Sequence, residues 1–178
     1  MRPLKCIVTS YLFLLWLGSG VFAYDTIYFP VAGLSKVSDA IVEGTVTKVE
    51  MRWDADHRMI YTYATVKINV LHKGNIPQQE IIIKERGGKL DGAITYGPGI
   101  PIYRTNESVF LFLFKDKEYY RTMGEDQGKF NIEMVNGVKK LRRDIKVDEF
   151  LIINKNVSKN DIRSIFIFDE VKALIDRQ

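Results

Sequence analysis

The chain has 178 residues, and its 26 lysines and arginines stand against 22 aspartates and glutamates for a formal charge of +4. That balance is too weak to argue for nucleic acid as a general partner. One cysteine rules out a disulfide framework, and two histidines give little material for a histidine-based catalytic or metal centre.

The first residues, MRPLKCIVTSYLFLLWLGSGVFA, have the three parts of a secretory signal. Arg2 and Lys5 form the positive end, an apolar run extends from Cys6 to Ala23, and Val21-Phe22-Ala23 supplies the small or slim residues that a signal peptidase accepts. Cleavage between Ala23 and Tyr24 is expected, which assigns residues 1–23 to the signal and the rest to a secreted or periplasmic protein with no stable membrane span. Removing 23 of 178 residues leaves 155, enough for one domain, and the loss of Arg2 and Lys5 lowers the charge from +4 to +2. Cys6 leaves with the signal, so the exported chain must hold its core together without disulfides.

Pro30 keeps the lead-in from Tyr24 to Val31 out of a helix, and Leu34–Asp39 suits a single helical turn. From Ala40 to Trp53 the apolar positions alternate and then change phase. Val42, Gly44 and Val46 share one parity, whereas Val49, Met51 and Trp53 share the other. A one-residue slip of this kind predicts a β-bulge, which bends a strand and sharpens its twist, and Gly44 removes a side chain where the strand must curl. After the turn Asp54–Arg58, alternation returns. Ile60, Thr62, Ala64, Val66, Ile68 and Val70 face one way, and Tyr61, Tyr63, Thr65, Lys67 and Asn69 the other, as in a half-buried antiparallel strand.

Glu80–Glu85 predicts a third strand. Gly87–Thr105, with five glycines and two prolines, predicts a long structured loop with a short strand at Ala93–Tyr96. Val109–Phe114 is apolar on both parities and so predicts a central strand buried on both faces. Shorter strands follow at Tyr119–Met123 and Lys129–Val135, and Asn136-Gly137 marks a tight hairpin into Val138–Leu141. Ser158 with Asp161 suits a helix start. Ile162, Ile165, Phe168, Val171, Leu174 and Ile175 then fit one helical face over 158–178, although Ile165–Phe168 alone also suits a strand.

Ser38-Asp39-Ala40-Ile41-Val42, the strand Tyr61–Val70, Lys73-Gly74 and Asn106-Glu107-Ser108-Val109-Phe110-Leu111 together resemble the N-terminal domain of tissue inhibitors of metalloproteinases and the related netrin-type modules. The resemblance covers roughly residues 35 to 125. It implies a mainly β fold, an OB-type five-stranded antiparallel β-barrel over 24–157 with a C-terminal α-helix packed outside. The inhibitors of that family chelate zinc through an N-terminal cysteine and are stapled by disulfides. The chain departs from both features, so that inhibitory route does not transfer.

For chemistry, His57 and His72 read as surface residues, and neither stands in a pattern that places a nucleophile against a base. Asp54-Ala55-Asp56 lacks the oxygen ligands and glycine that would continue a calcium loop and reads as a solvated turn. Gly124–Lys129 has the wrong glycine spacing for a phosphate loop. Neither a cofactor nor a metal is expected. Two candidate surfaces remain. Tyr61, Tyr63 and Lys67, with Trp53 across the turn, suit ligand binding through aromatic faces. Lys139, Lys140, Arg142 and Arg143 suit an anion contact, though Asp144, Asp148 and Glu149 lie close by. The resulting expectation is an exported, non-enzymatic binding module for a protein or polysaccharide partner outside the cytoplasm. The alternatives are a regulator of a secreted protease that uses no chelating cysteine, and a cell-envelope enzyme with unmarked acidic residues.

Overall fold

Two strands of 14 residues each dominate the chain, formed where the apolar alternation is longest. The computed structural model describes residues 26–145, 150–151 and 162–177. The proposed cleavage point at Ala23 and Tyr24 and the Ser158–Asp161 helix start lie outside them. In chain order the elements are β1 (Thr26–Ile27), α1 (Val31–Val37), β2 (Ala40–Trp53), β3 (Ile60–Lys73), β4 (Glu80–Arg86), β5 (Lys89–Leu90), β6 (Ala93–Ile94), β7 (Ser108–Asp116), β8 (Tyr119–Thr122), β9 (Lys129–Val135), β10 (Val138–Arg142), β11 (Phe150–Leu151), β12 (Ile165–Ile167) and α2 (Phe168–Ile175). The protein is mainly β, with one large sheet and a C-terminal helix.

That sheet has eight strands in the order β12-β10-β9-β7-β2-β3-β4-β8, and β8 also pairs with β7. The pairings therefore return to their start through β7, β2, β3, β4 and β8. All of these contacts are antiparallel except β4 with β8, which is parallel and consists of the single pair Ile83 and Tyr120. The phase slip in β2 falls where predicted, because Val46 pairs with Val66 but Lys48 with Thr65, leaving Thr47 unmatched. Gly44 sits where β2 and β3 approach closely. A Cβ there would lie 2.6 Å from the Lys67 carbonyl oxygen and 2.7 Å from Val66 Cγ1.

β7 is buried on both faces, as its double-parity apolar run predicts. Val109, Leu111 and Leu113 join Val42, Val46, Ala64, Val66, Ile81 and Ile83 in one core, inside the ring of pairings. Phe110 and Phe112 point the other way into a second core with Ile41, Phe130, Leu141 and Phe166, which α1 and α2 cover through Val31, Leu34, Val171 and Ile175. Ser38, Asp39, Lys73 and Gly74 hold this arrangement. The Ser38 hydroxyl donates to the Leu34 carbonyl at 2.7 Å, and the Asp39 carboxylate accepts the Lys115 N–H at 2.8 Å. Lys73 Nζ donates to the Ser35 and Lys36 carbonyls at the end of α1, a favourable place for a cation. Gly74 takes φ +93°, with the Asp39 carbonyl where a Cβ would stand.

Several expectations are corrected. The sheet extends beyond five strands, because the free half of the β7 edge takes β9, and β10 and β12 follow. Ile165–Ile167 is a strand, and the helix begins only at Phe168 because pairing with β10 claims those residues. Val70, expected inward, is 43% exposed. The β3–β4 ladder ends at Lys67 and Glu80, so the far end of β3 runs beyond that neighbour. His72 is not a surface residue. Its ring packs 5.1 Å from Phe110 and 6.0 Å from Phe168, and burial holds its pKa below the ordinary value.

Candidate functional site

β4 alternates strictly, with Ile81, Ile83 and Glu85 facing inward. The two isoleucines enter the core, but Glu85 lies two residues past Ile83, beyond the single β4–β8 pair. Its carboxylate takes over where that ladder stops. Oε1 accepts the Thr122 N–H at 2.6 Å, and Oε2 stands 3.9 Å from Arg121 Nε. Only 4% of Glu85 is exposed. Burial raises its pKa to about 6, against the opposing pull of the hydrogen bonds from Thr122 and the charge of Arg121. Tyr103, also buried, shares a 2.6 Å hydrogen bond with the Thr122 hydroxyl and is kept neutral by desolvation.

Beside these residues lies a cavity of about 270 Å³ lined by Glu85, Arg86, Arg121, Thr122, Glu125 and the Gly97–Pro101 segment of the long loop. Gly99 is needed there, because its φ is +76° and a Cβ would lie 2.2 Å from Glu125 Oε2. Burial also raises the pKa of Glu125. On the outer side lies a second cavity of about 210 Å³, lined by Tyr61, Lys84, Arg86, Asp116, Lys117, Glu118, Tyr119 and Arg121. Arg86 and Arg121 line both cavities and stand on the divide between them.

The predicted tyrosine stripe faces outward as expected, with Tyr61 and Tyr63 half-buried between inward Ile60, Thr62 and Ala64. Its rings are not open faces. Lys84 Nζ stands 4.5 Å from the Tyr61 centroid, 5.5 Å from that of Tyr63 and 5.3 Å from that of Tyr119, and Arg52 lies 4.9 Å from the Tyr63 centroid. Tyr119 meets Tyr63 edge to face at 5.6 Å. Lys67 lies further along β3, paired between Thr45 and Glu80, outside this cluster. Trp53 is also separate, because it pairs with Ile60 and so shares that residue's parity rather than that of the tyrosines. Its Nε1 donates to Asp91 at 3.2 Å, which ties the β5–β6 hairpin to the end of β2.

The basic run does not form one anion contact, because strand alternation sends its members to opposite faces. Lys139 pairs with Glu43 at 2.6 Å and lies 3.9 Å from the Phe168 centroid. Arg142 pairs with Glu133 and Asp144. Arg143 is 1% exposed, donates to the Arg163 carbonyl and the Tyr28 hydroxyl at 3.1 Å each, and lies among the rings of Tyr28, Phe130 and Phe166. Lys140 stands opposite Glu133 on β9. In the Asp54 turn the carboxylate accepts the Arg58 and Met59 N–H groups at 2.7 and 3.1 Å, which holds its pKa low.

Sequence reasoning passed over Glu85, Arg86, Lys84 and Arg121. For Glu85 a signal was present, an acid on the inward parity directly after Ile81 and Ile83. No protein-family model matches the chain, and no curated protein matches it.

Proposed function

We propose that the protein is an exported, non-enzymatic binding module, built on an OB-type barrel of the netrin and metalloproteinase-inhibitor kind, and that its partner engages the groove formed by the two cavities between β4 and β8. The barrel reading is supported by the ring of pairings from β7 through β2, β3, β4 and β8 with its one parallel contact. The signal-like N-terminus supports export to a secreted or periplasmic location. Among the described residues no helix is long and apolar enough to cross a membrane.

The observation that carries the binding reading is the sharing of Arg86 and Arg121 by two adjoining cavities. It makes one groove with cations and tyrosines outside and a buried carboxylate at its floor. The test is capture of partners from native exported material by residues 24–178, followed by hydrogen-exchange mapping of the contact. Protection of β4, β8 and the Gly97–Pro101 segment supports the reading. Capture of nothing, or protection confined to the α1–α2 face, overturns it.

A second reading, an envelope hydrolase, is favoured by the raised pKa of buried Glu85 in a cleft. Hydrolysis of envelope polysaccharide that disappears in Glu85→Gln would replace the first reading by this one.

A further inference from the structure

The groove has an electrostatic character that narrows the partner. Its outer cavity is lined by Lys84, Arg86, Lys117 and Arg121 against two acids, Asp116 and Glu118. Among the described residues, Arg86 and Lys117 make no side-chain hydrogen bond or ion pair. Lys84 is held only over tyrosine rings, and its ammonium keeps its hydrogen-bond donors. Arg121 has one charged neighbour within 4 Å, Glu85 at 3.9 Å, which exceeds hydrogen-bond length. Two guanidinium forks therefore stand at one divide with their donors largely unspent, the arrangement that matches a planar carboxylate.

Rings already covered by Lys84 and Arg52 are poorly placed to stack on sugars, which argues against a glycan. β3 occupies one edge of β4, and β8 meets the other at Ile83. The unspent donors of the groove belong to side chains, so recognition through them is favoured.

Resting on the binding reading above, we propose that Arg86 and Arg121 anchor a carboxylate side chain of an acidic partner segment, and that Glu85 is the internal competitor for Arg121. The titratable and charged groups acting on Glu85 are Arg121 on β8, Glu125 in the turn after it and the buried Tyr103, whereas Arg86, next to it on β4, takes the opposite parity. When Glu85 is ionised, its charge attracts Arg121 across 3.9 Å and competes with the ligand for the guanidinium. When Glu85 is protonated, Arg121 is free to turn to the ligand, and protonation of Glu125 acts in the same direction. A glutamate-rich peptide remains ionised through this interval, so its binding tightens as the pH falls through about 6.

The experiment titrates a deca-glutamate peptide into the exported chain by calorimetry, with a hexamer of galacturonic acid and a deca-glutamine peptide as comparisons. Deca-glutamate is expected to bind, with affinity rising severalfold between about pH 7.5 and pH 5.5 and falling about tenfold in Arg86→Gln. Glu85→Gln should bind more tightly than wild type at about pH 7.5 and gain less than wild type on acidification, the remaining gain being that of Glu125. Preference for the uronate hexamer transfers the site to glycans and overturns the peptide assignment. Equal binding of deca-glutamine, no binding, or an Arg86→Gln variant that binds like wild type while melting normally overturns the anchor. If native capture protects β4 and β8 whereas Arg86→Gln leaves it unchanged, the inference fails and the binding module stands. Capture of nothing removes both.

Discussion

Replacing Glu85 by glutamine tests how the groove floor is built. Glutamine keeps an oxygen for the Thr122 N–H and removes the charge. Burial moves the Glu85 pKa from 4.5 to about 6, so the folded state binds this proton more tightly than the unfolded state. Between these values the folded protein holds more protons, and stability must therefore fall as the pH rises. The full displacement corresponds to about 2 kcal/mol lost by neutral pH. Glu85→Gln should match wild type near pH 4 and exceed it by up to this amount near pH 8, a rise in Tm of about 4–8 °C for a domain of this size. His72, whose lowered pKa makes stability fall at acidic pH, is present in both proteins and cancels in the difference. Urea denaturation of both proteins across this pH range measures the difference curve. A flat curve, or a variant less stable at pH 8 than at pH 4 relative to wild type, would refute the assignment of Glu85 as a desolvated carboxylate.

Phe110→Ala empties the second core beside Phe112, Phe168 and His72 and should cost about 3–5 kcal/mol in chemical denaturation. Gly44→Ala places a methyl against the Lys67 carbonyl and should cost about 1–3 kcal/mol, with loss of amide protection in both β2 and β3 near the bulge. Tyr103→Phe leaves the buried Thr122 hydroxyl without its 2.6 Å partner and should cost about 1–3 kcal/mol. The folded-state pKa of Glu85, followed by carboxyl NMR, should shift in the same variant.

The features that could be read from sequence are those set by neighbours a few residues apart. The alternation in β3, the slip after Val46, the double-parity run of β7 and the Asn136-Gly137 turn each follow from local side-chain order, and Asn136 and Gly137 both take the positive φ that such a turn requires. Where the reading failed, a distant strand decided the outcome. Val70 continues the inward parity of β3, but only β2 accompanies it there. Ile165 fits both a helical and a strand period, and β10 settles it. The basic run looked like one patch because adjacency in sequence was read as adjacency on a surface. Alternation instead places Arg143 with Leu141 in the core and leaves Arg142 to pair with Glu133 and Asp144. The groove was the least legible feature, since Arg86 and Arg121 come from strands joined by a single pair, Ile83 with Tyr120, and share only the lining of the two cavities.

That pair also explains why the groove lies where it does. β7 divides one edge between β9 and β8, so β8 reaches β4 from one end and pairs with it at one residue. A longer parallel ladder would close the cleft and give the Thr122 N–H a backbone acceptor. A shorter one would open the ring of pairings. Glu85 fits the intermediate case, supplying the missing acceptor from a side chain at the cost of burying a carboxylate. On the opposite side of β2 and β7 the sheet is covered by α1 and α2, and Ser38, Asp39, Lys73 and Gly74 fasten α1 in place. These residues are therefore committed to holding the helix. A shared fold with the netrin and inhibitor modules would carry no information about the ligand, because the proposed contact rests on the side chains of Lys84, Arg86, Lys117 and Arg121 and not on the fold.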